Sequence, residues 1–213
     1  MPDFAPHPDT PGGDGTEGAV AAEGAVVLRE ADLRPFMAAF PSGVTVVTTL
    51  DADGRPRGLT CSSMASVALA PPTLVVCIRT ASPTLRALLD QGQFALNLLH
   101  ERARATSDLF ASGAPDRFER TEWRLPLGAS GPHLTSSAHA VADCTVVETA
   151  AFGDHTAVFA QARRISVRPA AQPLLYGLRR YAGWSAAAAV PQPPAIPLPP
   201  RSVPTEGAAG VRG

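Results

Sequence analysis

Lysine is missing from this chain; all 18 of its basic residues are arginine. Its absence excludes Schiff-base chemistry and a lysine phosphate clamp, so any anion must be met by arginine, hydroxyls or backbone N–H groups. Cysteine is scarce too. Cys61, Cys77 and Cys144 form an odd, widely spaced set, each inside a strand-like run with no paired ligand spacing, which reads as three reduced core thiols and no metal centre. No segment approaches the ~18 consecutive apolar residues of a membrane span, and the N-terminus lacks the basic start and apolar run of a signal peptide, so a soluble cytoplasmic protein is expected. Net charge is only -1, which leaves no electrostatic footprint for nucleic acid. There is no Gly-x-Ser-x-Gly elbow and no phosphate loop. His7, His100, His133 and His139 stand at spacings that suggest neither a metal site nor a triad.

What is present fits one domain. Hydrophobic residues make up 45% of the 213 and charged residues 17%, enough for a core of one domain of roughly 150 residues once the ends are set aside. Residues 1–28 include PHPDTPGGDGTEG, and residues 186–213 are rich in Pro and Ala; neither composition buries enough apolar surface to offset ordering entropy. Both are expected to be disordered tails flanking a domain over 29–185.

Inside that domain, Leu33, Phe36, Met37 and Phe40 share one helical stripe, and the helix over 31–40 is expected to lie against the core. GVTVVTTL reads as a β-branched strand closed by the turn Asp51-Ala52-Asp53-Gly54 and returning as a strand over 58–68. After Pro71-Pro72, TLVVCIR is a buried strand. Ser82 then caps a short helix with Pro83 at its first position. A strand over 93–99, a second helix in ERARATSDLFAS and an irregular connection PDRFERTEWRLPLGASGPHL follow. The last two strands, AHAVADCTVVETAAF and TAVFAQARRISVR, flank Gly153-Asp154-His155 as a hairpin. The order predicts a mainly β fold with short helices, an antiparallel barrel and not a doubly wound parallel sheet.

Three segments could carry chemistry. On one strand Thr60, Ser62 and Met64 would face one way and Cys61 and Ser63 the other, so that one face could meet the edge of a flat polar ring such as a flavin while the other packs. A solvated edge strand would look the same. In Arg79-Thr80-Ala81-Ser82-Pro83-Thr84, the free N–H groups of the coming helix, the hydroxyls of Ser82 and Thr84 and the charge of Arg79 or Arg86 suit a phosphate; a plain helix cap would also explain Ser82. His155 could hydrogen-bond a nicotinamide amide at a barrel mouth, or be an ordinary turn residue.

In this order the segments resemble the flavin reductase family, the split-barrel flavin oxidoreductases that act as reductase components of two-component flavin monooxygenases. The resemblance runs from about Phe36 to Trp184 through FPSGVTVVTT, DGRPRGLTCSSMASVALAPPTLVVCIR, SPTLRALLDQGQFALNLL, LFAS with DRFE, GPHL, ADCTVVE, GDHTAVFA and PLLYGLRRYAGW. Ser62 stands where Asn is frequent, and Met64 where Phe is.

The resemblance implies a homodimer of FMN-binding split β-barrels of Greek-key type, with FMN or FAD near the subunit interface. By motif, Thr60, Cys61, Ser62, Ser63 and Met64 would line the ring, and Thr45 is assigned to the same cofactor. Ser82 and Thr84 would meet the phosphate, Asn97 and Leu98 border the ring, and Tyr176 and Tyr181 shape the pocket. His155 would position the nicotinamide. The implied activity is reduction of FMN or FAD by NADH or NADPH, supplying a separate monooxygenase. In this family the nicotinamide nucleotide folds against the flavin, so the absent Gly-x-Gly-x-x-Gly fingerprint does not count against hydride transfer. Two alternatives stay open: an enzyme that keeps FMN tightly bound and reduces an organic substrate itself, and a non-catalytic flavin-binding module.

Overall fold

A computed structural model describes residues 32–184. The two expected tails, 1–28 and 186–213, lie outside the described residues.

The fold is built outward from β2 (Thr45–Leu50), whose TVVTT run is buried on both faces. Successive side chains of a strand point oppositely, so Val47 enters one core and Val46 another. β2 pairs antiparallel with β3 (Pro56–Cys61) through the tight turn at Asp51 to Gly54, and with β6 (Gln93–Leu99) on its other side. From β6 the sheet continues through β7 (Ala138–Phe152), β8 (His155–Val167) and β5 (Pro72–Arg79) to β4 (Met64–Leu69). The seven-stranded order is therefore β3-β2-β6-β7-β8-β5-β4, every pairing antiparallel.

β3 and β4 sit at opposite edges of this sheet, yet only Ser62 and Ser63 separate them in sequence. So short a link forces the sheet to curl until its edges meet: the Cys77 N–H donates to the Ser63 carbonyl at 2.9 Å, extending the β4–β5 pairing, while the Cys61 thiol at the end of β3 reaches the Cys77 carbonyl at 3.7 Å across the seam. The result is the split-barrel arrangement. Its interior holds Val47, Val76, Ile78, Phe94, Leu96, Cys144 and Val158, and α2 (Pro83–Gln91) plugs one end with Leu85 and Leu88. A second core outside the sheet gathers Val46, Leu99, Phe110, Phe118, Leu134 and Leu174, with Phe110 carried by α3 (Arg104–Ser112). A small sheet of β1 (Ser42–Gly43), β9 (Leu174–Gly177) and β10 (Arg180–Gly183) covers that core.

Two expectations are corrected. α1 (Leu33–Ala38) forms, but it buries none of its residues, and Phe36 is 73% exposed. Helical periodicity marks an apolar face without saying which surface covers it, and among the described residues none does. The supposed single strand over 58–68 breaks at Ser62, because the chain must leave one sheet edge and enter the other. Faces thus do not alternate continuously from Thr60 to Met64. The β9–β10 hairpin was not expected. Its turn places Leu178 and Arg179 at φ 49° and 59°, a conformation usually signalled by Gly or Asn, neither of which is present at these two positions.

Candidate functional site

Where the seam crosses from β3 to β4, a groove of about 510 Å³ opens. Its floor is the end of β3 and the Ser62-Ser63 link. One wall is Arg79 with the start of α2; the other is Phe110, Ser112 and Gly113 from the end of α3, with Arg117 beyond; His155 stands at the rim.

The α2 wall is prepared for an anion. Ser82 occupies the N-cap position, but its hydroxyl makes no capping bond and Pro83 removes one competing donor. Thr84 is 3% exposed, and its hydroxyl has no hydrogen-bond partner among the described residues. Two hydroxyls and the free N–H groups of the first turn thus lie on one wall with nothing among the described residues to satisfy them. Arg79 lines this wall, whereas Arg86 points away, its side chain 87% exposed and 4.0 Å from Asp90.

His155 faces Arg79 across β5 and β8. Its Nδ1 lies 2.8 Å from Asp154 Oδ1. That hydrogen bond and the histidine's charge hold the Asp154 carboxyl below its ordinary value. An ionised carboxylate only accepts, so Nδ1 carries the proton and, in the neutral ring, Nε2 is left as an acceptor. The two-residue turn that holds this pair depends on Gly153 at φ 57°.

On the floor, Ser62 and Ser63 are exposed, while Cys61 is buried and burial pushes its thiol up to about 11; Met64, already on β4 opposite Val76, is exposed but does not line the groove. Cys61 is therefore a packing residue and no nucleophile. Thr60 donates its hydroxyl to the Ser107 carbonyl at 2.7 Å, tying β3 to α3. Gly58 makes this junction possible: a Cβ there would meet Phe110 Cε1 and the Val47 carbonyl oxygen, each at 3.0 Å.

Other sequence candidates are not brought to the groove. Thr45 is buried and donates to the Cys61 carbonyl at 2.6 Å. Asn97 is wholly buried; its amide donates to Val46, Thr48 and Pro132 and its carbonyl accepts from the Leu134 N–H. Both polar groups are consumed in holding strands together. Leu98 is half-buried opposite Thr45. Tyr176 and Tyr181 pack together at 5.1 Å between ring centroids against the second core, with the Tyr181 hydroxyl donating to Asp108 at 2.9 Å. Conversely, Phe110, Ser112, Gly113 and Arg117 form a wall that local patterns did not reveal; the only trace was the resemblance of the LFAS and DRFE blocks.

The groove fits a flavin nucleotide on what its residues offer: the uncommitted hydroxyls of Ser82 and Thr84 for a phosphate, the exposed Ser62-Ser63 link for a ring edge, and Leu59, Ile78 and Phe110 as apolar lining. The flavin reductase like domain matches residues 37–185. The chain belongs to that family. Among relatives of this flavin reductase-like chain, the flavin reductase (NADPH) of Lentzea aerocolonigenes is 43% identical over 73% of this chain and 90% of its own. The reductase subunit HsaB of a flavin-dependent monooxygenase from Rhodococcus jostii is 35% identical over 82% and 89%. In structure, the NADH:FAD oxidoreductase SgcE6 of Streptomyces globisporus, solved in complex with NAD and FAD fragments, superposes with a TM-score of 0.66 at 29% identity, covering 70% of this chain and 89% of that one. Among the described residues no helix is long and apolar enough to cross a membrane.

Proposed function

We propose that this flavin reductase-like protein is an NAD(P)H:flavin oxidoreductase that supplies reduced flavin to a separate flavin-dependent monooxygenase. The observation that carries the reading is the groove at the barrel seam, with an unsatisfied helix N-terminus on one side and a histidine of fixed tautomer at its mouth. Relatives that use NADPH or NADH to reduce flavins, and one that is a monooxygenase's reductase subunit, support it.

When bound, the flavin accepts hydride at its ring, and the protein contributes position, not a nucleophile. Ser82, Thr84 and the first turn of α2 hold the phosphate. The Ser62-Ser63 link meets the ring's polar edge, with Cys61 and Ile78 as apolar neighbours. His155 Nε2 would accept from the carboxamide of the nicotinamide and so orient it toward the flavin. Thr60, Thr45 and Asn97 act one layer back by fixing β3, β2 and β6. A homodimer in the cytoplasm belongs to the same proposal: the apolar stripe of α1, with Leu33 65% and Phe36 73% exposed, is surface that a second copy would cover.

The test is a steady-state assay crossing NADH and NADPH with riboflavin, FMN and FAD. Turnover that requires added free flavin supports release to a partner. Turnover by a flavin-loaded protein without added flavin would favour direct reduction of an organic substrate.

A further inference from the structure

Arg117 lines the groove on the side opposite α2. Its Nη1 donates to the carbonyls of Gly113 at 3.0 Å and Ala114 at 2.7 Å, just past the end of α3. The rest of the guanidinium is unused. Nε is buried with no hydrogen-bond partner, and no carboxylate pairs with Arg117 among the described residues. The charge that acts on it is like-signed: Arg57, which is itself committed to Asp51 at 2.8 Å. Burial and that neighbour both press against its charged form.

A half-buried guanidinium without a counter-charge is unfavourable unless something absent from the chain supplies one. The helix end beside it sharpens the point. The C-terminal carbonyls of α3 face the groove with the negative end of the helix dipole, and an anionic ligand pressed against them would be repelled. Arg117 binds the Gly113 and Ala114 carbonyls just beyond that end with one nitrogen, which sets its positive charge beside the dipole's negative end, and its remaining donors have no partner among the described residues.

Resting on the flavin-reductase reading above, we infer that Arg117 is a phosphate-recognition residue, its guanidinium supplying the counter-charge for a nucleotide phosphate lying in the groove across from α2. The shared chemistry is a phosphate ester. Its source is either the flavin nucleotide or the nicotinamide nucleotide, and Arg117 makes the α3 wall accept an anion that the helix end alone would repel.

The test uses purified full-length protein, wild type and Arg117→Gln. Equilibrium titration with riboflavin, FMN and FAD gives the flavin affinities, and rapid reduction over a range of NADH and NADPH concentrations gives the nicotinamide affinities. A charged hydrogen bond of this kind predicts that Arg117→Gln weakens at least one phosphate-bearing ligand by about 10- to 100-fold and leaves riboflavin unchanged. Loss for FMN and FAD alike places the flavin's own phosphate at Arg117, loss for FAD alone places the second phosphate there, and loss for NADH or NADPH alone places the nicotinamide nucleotide there. Weakening shared equally by riboflavin, or no weakening of any ligand, overturns the inference and leaves Arg117 as a cap on α3. Should Arg117→Gln not fold, Arg117→Lys decides on the same titrations: a smaller loss confined to phosphate-bearing ligands supports the inference, and a loss shared by riboflavin overturns it. Wild-type protein that binds no flavin would overturn the functional reading itself, which is distinct from wild type binding flavin and Arg117→Gln matching it throughout.

Discussion

The two helices that wall the groove are alike in length and unlike in effect. α2 and α3 each have nine residues, each starts without a side-chain capping bond, and each ends on a left-handed glycine, Gly92 at φ 66° and Gly113 at φ 70°. Yet α2 turns its N-terminus to the groove and α3 its C-terminus, so the fractional charges they present are of opposite sign, about +0.5 and -0.5 of an elementary charge. On the proposed reading, one wall would attract a phosphate unaided and the other would need Arg117. A groove for an anionic nucleotide can be built from two similar helices only if the unfavourable end is neutralised.

The largest expected effects come from detaching either wall. Phe110→Ala removes the fully buried ring that fastens α3 to Gly58 on β3 and should cost about 3 to 5 kcal/mol, while Leu88→Ala, beneath α2, should cost about 2 to 5 kcal/mol. Urea unfolding measures both. A cost below about 1 kcal/mol for Phe110→Ala would mean that α3 is not held against β3 as described.

The contrast between the walls is sharpened next by Ser82→Ala with Thr84→Ala. Lost hydrogen bonds to a charged phosphate should weaken FMN and FAD by about 1.5 to 3 kcal/mol per contact, less where backbone donors compensate, and leave riboflavin alone. Equal weakening of all three flavins would move the phosphate off the α2 wall.

Legibility in the sequence follows the same division. The start of α2 is encoded within a few residues, because a Ser-Pro-x cap signal is local, and the Gly-Asp turn before His155 is equally local. The α3 wall depends on contacts across long sequence separations: Phe110 reaches Gly58, and Arg117 sits in an irregular connection where no periodicity speaks. The succession of strands, their antiparallel character and the β2–β3 and β7–β8 hairpins were readable from alternation and turn residues; the order of the strands across the sheet was not. The break at Ser62-Ser63 was not, since it follows from where β3 and β4 lie in the sheet. Thr45 and Asn97 show a further limit, for a buried polar residue on a strand reads the same whether it faces a ligand or, as here, satisfies neighbouring backbone groups.

His155→Ala tests the rim between the walls. It should lower kcat/KM for the nicotinamide by about 10- to 100-fold, roughly 1.4 to 2.7 kcal/mol, with flavin affinity unchanged. Rapid-reaction reduction of the flavin complex checks this. An unchanged hydride-transfer rate and nicotinamide affinity would reduce His155 to a turn residue.

The smallest effect on binding is expected at Asp143, which touches neither wall. Burial alone would raise its carboxyl, but the hydrogen bonds from His133 at 2.9 Å and the Ser130 N–H at 2.7 Å, with Arg164 at 2.8 Å, leave it below the ordinary value. A depressed carboxylate stabilises the fold above its unfolded value near about 3.9, and that contribution is lost as pH falls through the lower folded value. Asp143→Asn should therefore flatten the acid limb of stability against pH, read from urea midpoints, while flavin titrations stay as in wild type. A changed flavin affinity would show that the groove extends to this network.

The central claim is that the seam groove brings a nicotinamide and a flavin together for hydride transfer. Anaerobic mixing of the purified protein and oxidised flavin with NADH or NADPH tests it directly by the flavin's visible absorbance. The account predicts bleaching that depends on the protein and saturates with the nicotinamide. A protein that binds flavin yet leaves its absorbance unbleached with both nicotinamides would contradict it.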